Sequence, residues 1–136
     1  MRKQDHLPKL LADFADSVLA QEAALGKGDV AEGNAFVKKY VGAANRLLSH
    51  GAVGVEAFAS LLRHKKAEVR TTAAYYLLPY RTNECLAVLE KSARGTGVTA
   101  LGALMTLARW KGGEKKVWEE IALVAKKYKR PKLGDN

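Results

Sequence analysis

The segment from Phe58 to Leu78, FASLLRHKKAEVRTTAAYYLL, constrains the fold more than any other part of the chain. It reads as two short helices joined by a tight basic turn. Leu61 and Leu62 close the first, Arg63 to Lys66 form the turn, and Val69, Ala73, Ala74 and Leu77 recur at the spacing that lays one apolar seam along the second. A short helix pair cannot bury such a seam alone and needs neighbouring helices to cover it. The expected fold is therefore all-α, an α-α superhelix of about seven helices.

The remaining helices follow from the same periodicity and from capping residues. The first is expected from about Leu7 to Leu25, with Leu7, Leu10, Leu11, Phe14, Val18 and Leu19 on one stripe, Asp5 as its cap and Pro8 in its first turn. Gly26 and Gly28 end it. The second opens on Asp29 and Glu32 at capping-box spacing, runs through Phe36, Val37, Tyr40, Val41, Ala44, Leu47 and Leu48, and stops at Gly51. These two are expected to form an antiparallel hairpin at one end of the stack. The third and fourth are the pair above, about Val53 to Arg63 and Ala67 to Leu78, with Pro79 as the stop. The fifth, Thr82 to about Ser92, takes Thr82 as cap and presents Leu86 and Leu89 with Cys85 and Val88 beside them. The sixth, Val98 to Trp110, is expected to turn Leu101, Leu104, Met105 and Ala108 inward. The last, Glu114 to about Tyr128, lines up Val117, Trp118, Ile121, Val124, Ala125 and Tyr128.

A chain of 136 residues with 48% apolar content has enough material for one core. One helical domain is expected over residues 1–128, followed by a basic flexible tail over 129–136. The opening MRKQDHLPKLLADF lacks the apolar run of a secretory signal, and no 18-residue apolar stretch occurs, so a cytoplasmic protein without a membrane span is expected. The single Cys85, in ECLAVLEK, suits a buried thiol. The net charge of +9 is unevenly spread. Residues 1–50 hold seven Lys/Arg against six Asp/Glu, whereas residues 51–110 and 111–136 each hold eight against four. Such a field favours encounter with nucleic acid, acidic proteins or anionic lipid without choosing among them.

Three blocks carry a family resemblance: LAQEAALGKGDVAEGN, then LLRHKKAEVRTTAAYYLLPY, then AVLEKSARGTGVTALGALMTLARWKGG. In this order they resemble a bacterial helical family, the domain-of-unknown-function family numbered two thousand and nineteen, over roughly Leu7 to Gly113. The resemblance implies a HEAT-like helical repeat, similar also to armadillo modules, and no catalytic residues. It also implies a role in toxin and immunity neighbourhoods, where a small helical protein silences a toxin domain by binding it. Glu114 to Asn136 extend beyond the usual end of that pattern.

The partner-binding candidates are the basic turn with the helix that follows it, Arg63, His64, Lys66 and Arg70, and the aromatic residues Tyr75, Tyr76 and Trp110. The basic set suits phosphate or carboxylate, but more readily a solvated loop in which Arg70 bonds turn carbonyls or an acidic residue of the adjacent repeat. Tyr75 and Tyr76 point about 100° apart on a helix, so at most one is fully buried. The other, with Tyr80 and Trp110, suits an aromatic platform, although core filling serves all of them as well. Lys126, Lys127, Lys129, Arg130 and Lys132 can track phosphates. Gly95-Thr96-Gly97 precedes a helix but lacks the rest of a phosphate-binding loop. His6, His50 and His64 fall at helix ends without a metal-ligand partner at helical spacing, and no nucleophile or paired-carboxylate motif occurs, so neither cofactor nor metal is expected. The sequence favours a protein-binding module, an immunity protein facing an acidic toxin surface, with a nucleic-acid-binding module as the alternative.

Overall fold

The computed structural model describes residues 6–129. Among these described residues seven α-helices follow one another: α1 Leu7–Gly26, α2 Val30–Ser49, α3 Ala52–Ala59, α4 Ala67–Leu77, α5 Thr82–Ala93, α6 Gly97–Lys111 and α7 Lys116–Lys129. There is no strand among the described residues, and the all-α class expected from sequence is the one observed. No helix among them is long and apolar enough to cross a membrane. Asp5, the expected cap of α1, lies outside the described residues, and His6 occupies that position without a side-chain cap. Two compact units are distinguished, one containing α1, α2, α3 to Phe58 and α7 from Val124, the other running from Ala59 to Leu123.

In the first unit α1 and α2 form the expected hairpin. The link is short because Gly28 takes φ +79°, a left-handed conformation that glycine adopts without a Cβ clash. The Asp29 carboxylate accepts the Glu32 amide at 3.0 Å, satisfying one of the donors that a helix start leaves free. Phe14, Ala44, Leu47 and Phe58 are fully buried. Phe14 sits edge-on to Phe58 at 4.9 Å and to Tyr40 at 5.8 Å, geometries that aromatic quadrupoles favour. Gly54 of α3 lies against the end of α2 so closely that an added Cβ would overlap the Leu47 carbonyl.

The helix expected to run to Arg63 instead tightens after Ala59 into a 3-10 turn, Ser60–Arg63. Helix ends often narrow in this way, and here the narrowing keeps both Leu61 and Leu62 buried before His64 turns extended. In this second unit α4 packs on the 3-10 turn, α5 and α6, and α5 packs on α6. The seam read from sequence, Val69, Ala73, Ala74 and Leu77, is fully buried. Thr82 is not the cap of α5. Arg81 holds that position, and the Thr82 hydroxyl donates back at 2.8 Å to the carbonyl of Leu78, the residue that closes α4 before Pro79.

The largest departure is α6. Its inward residues are Ala100, Ala103 and Leu107, while Val98, Leu101, Leu104 and Met105 are 75%, 56%, 51% and 53% exposed and Ala108 also faces outward. The helix is apolar on nearly every side, so periodicity alone could not choose its inner face. Small side chains let α6 approach α4 and α5 closely, and the bulky ones are left outside. On α7 the expected face is only partly inward: Trp118 and Ala125 are buried, whereas Val124 and Tyr128 are exposed.

Replacing Asp29 with alanine should cost about 1 kcal/mol of stability, the usual worth of a lost cap. Gly54→Ala should cost more, about 1–3 kcal/mol, because backbone must move to admit the methyl group. Chemical denaturation followed by far-ultraviolet circular dichroism measures both. Equal stability of Gly54→Ala and the parent would contradict the close approach of α2 and α3.

Candidate partner-binding surface

The basic turn is held by its own hydrogen bonds. His64 Nδ1 accepts the Lys66 amide at 3.0 Å, and Arg70 Nη1 donates to the His64 carbonyl at 2.7 Å. Arg70 is thus oriented by the turn it follows, while Arg63 and Lys66 are exposed. Lys66 caps α4 through its backbone only.

The aromatic candidates are drawn into a chain of rings. Tyr76 is buried and Tyr75 half-buried, edge-to-face at 5.1 Å. Tyr75 in turn meets Trp118 at 5.6 Å, and Trp118 meets Trp110 edge-on at 5.1 Å. Trp118, which sequence placed on the face of α7 but not in this group, ties the chain together: its indole Nε1 donates to the Tyr75 carbonyl at 2.6 Å. Lys115 Nζ lies 4.2 Å from the Trp110 ring centre, a cation–π contact at the outer end. Burial raises the Tyr75 phenol above its ordinary pKa, an effect partly offset by the Arg109 guanidinium. Tyr80 stands outside this chain of rings, exposed, with its phenol also raised by partial burial.

Lys126 and Lys127 are exposed on α7, and Lys129 is the last residue of that helix. Arg130 and Lys132 lie outside the described residues. The three histidines take the helix-end positions expected of them, at the start of α1, the end of α2 and the end of the 3-10 turn. Among the described residues no three His, Cys, Asp or Glu side chains are placed to share a metal ion. Thr96 leads into α6 without a side-chain cap, and Gly97 takes φ +86° at its start.

The feature that sequence missed is the outward face of α6. Single exposed aliphatic residues are ordinary on a protein surface, but four large ones on one helix are a patch. Val98, Leu101 and Met105 repeat at i, i+3 and i+7, with Leu104 beside them. The helix itself has no Asp or Glu. Arg94 precedes it, and Arg109 and Lys111 occupy its last turn. Arg109 pairs loosely with Glu114 at 3.8 Å and Lys111 with Glu90 at 3.6 Å. Exposed pairs of this length contribute little and exchange readily for other carboxylates. The signal for this patch was present in the sequence, because an all-round apolar helix must expose some of its apolar residues unless it is covered on all sides.

Cys85 is fully buried, and its thiol is pushed up to about 12, first by burial and then by the neighbouring Glu84 carboxylate, with Arg81 opposing. No family model matches the chain, and no curated protein or solved structure is significantly similar to it.

Native Cys85 should resist a thiol-reactive disulfide reagent at pH 8 and react fully once the chain is unfolded. The unfolded thiol loses its proton above about 8.5, whereas the folded one keeps it to about 12. The stability this group contributes is therefore fully present below the unfolded value and lost as pH rises between the two. Equilibrium unfolding of the parent and Cys85→Ala across alkaline pH should show the steeper fall in the parent, and parallel curves would contradict the burial.

Proposed function

We propose that the chain is a non-enzymatic protein-binding helical module whose docking surface is the outward face of α6. The observation that carries this is the set Val98, Leu101, Leu104 and Met105, more than half exposed on one helix. Covering a half-exposed Leu or Met contributes roughly 1 kcal/mol, so such a patch favours a partner that can lay apolar side chains against it. The charge around the patch says what else that partner carries. With no carboxylate on α6, with Arg94, Arg109 and Lys111 at its two ends, and with a chain at +9, the complementary surface is apolar at its centre and acidic at its rim.

An immunity protein that neutralises a toxin by direct binding is the specific form of this role suggested by the family resemblance in the sequence. An acidic toxin surface fits the basic rim. The basic turn and the aromatic residues near it then serve mainly to hold α4, α6 and α7 in place, with exposed Arg63 and Lys66 free to add peripheral contacts.

The test is retention of a partner from source lysate on tagged protein after nuclease treatment at moderate salt, comparing the parent with Leu101→Glu/Met105→Glu. Both positions are exposed, so the double variant should keep its helical circular dichroism. One stoichiometric acidic protein, lost on the double variant and weakened by Arg109→Glu, is the expected result. A protein held equally by the folded variant would remove the α6 face from the role. Recovery of nucleic acid alone, abolished by nuclease, would replace this reading with phosphate binding by the basic loops and tail.

A further inference from the structure

Beyond the docking face, the second unit contains a cavity of about 430 Å³ where the start of α4, the end of α5 and the first turns of α6 meet. Its walls are mainly apolar, with Leu62 and Val88 among them, and its polar lining includes Arg70 of α4, Lys91 of α5 and Thr99 of α6. Among the described residues no Asp or Glu lines it. Arg70 spends one nitrogen on the His64 carbonyl, which orients the guanidinium, and among the described residues no carboxylate neutralises its charge. Among the described residues no carboxylate pairs with Lys91, since its neighbour Glu90 reaches Lys111 instead. Two cations from different helices therefore border an apolar space without an internal counter-charge. Its volume falls within the roughly 300–1,000 Å³ of small-molecule sites.

We infer that this cavity binds a small carboxylic acid, with the carboxylate between Arg70 and Lys91 and a hydrocarbon body of several carbons against Leu62 and Val88. The guanidinium offers planar paired donors that match a carboxylate, and the ammonium adds a second charge-assisted bond. An inorganic anion would satisfy the cations and leave the apolar wall wet. A neutral alcohol would cover the wall and leave the cations unpaired. Each additional buried methylene should strengthen binding about fourfold.

The test is a titration of the full ¹⁵N-labelled chain with hexanoate, butyrate, hexanol and inorganic phosphate, following amide shifts. Hexanoate should give saturable shifts at Lys91, Thr99 and their neighbours and bind roughly fifteenfold more tightly than butyrate. Hexanol and phosphate should each bind at least about tenfold more weakly than hexanoate. Arg70→Gln and Lys91→Gln should each weaken hexanoate by about tenfold, one charge-assisted hydrogen bond. Lys91 is exposed and takes no part in the turn, so K91Q decides the matter if R70Q loses its fold. Ala87→Phe, at an exposed lining position, should block binding with circular dichroism unchanged. Phosphate or hexanol binding as tightly as hexanoate would overturn the inference. So would shifts confined to other residues, or undiminished hexanoate binding by folded K91Q or A87F.

Discussion

The close approach of α6 to α4 and α5 through Ala100, Ala103 and Leu107 is the constraint on which the other features of the second unit rest. Two of the three inner residues are alanines, so most of that side of α6 presents only methyl groups to its neighbours. The bulky aliphatic residues then have no room inside and are forced outward. The same approach brings the first turns of α6 beside the end of α5, where the open pocket bordered by Arg70 and Lys91 lies. One packing choice thus sets both the apolar face and the cavity mouth.

The aromatic chain secures the opposite end of that helix. Trp110 at the end of α6 meets Trp118 at the start of α7, and Trp118 in turn donates to the backbone of α4. A buried indole N–H without an acceptor is costly, so the Tyr75 carbonyl fixes where the indole can sit. Ring contacts then propagate through Tyr75 to Tyr76 in the core. Tyr75, Tyr76 and Trp110, candidates for an exposed platform, are here occupied with holding three helices together, and the exposed apolar face of α6 is aliphatic instead.

Much of this was legible in the sequence, and the failures have a common cause. The α4 seam was readable because Val69, Ala73, Ala74 and Leu77 recur at helical spacing, with Arg70 and Thr72 between them. The start of α2 was readable because Asp29 acts on its own turn. The inner face of α6 was not, since apolar residues at both candidate faces satisfy the helical period and the choice depends on what α4 and α5 present. Thr82 was misplaced as a cap because a hydroxyl can bond forward to an amide or back to a carbonyl, and the acceptor freed near Pro79 decided it. The Trp118 bond spans 43 positions, which no local pattern reveals. At the candidate site, the bond from Arg70 to a turn carbonyl was legible, because the arginine lies a few residues past the turn, but the engagement of the tyrosine pair by Trp118 was not.

The orientation of α6 is the claim from which the docking face follows, and single-cysteine labelling measures it directly. In a Cys85→Ala background, cysteine placed at Leu101 or Leu104 should react with a maleimide at nearly the rate of an unfolded control, whereas cysteine at Ala103 should be strongly protected until the chain is denatured. Protection at Leu101 and Leu104 with fast labelling at Ala103 would mean that the helix faces the other way, and the apolar docking surface would not exist.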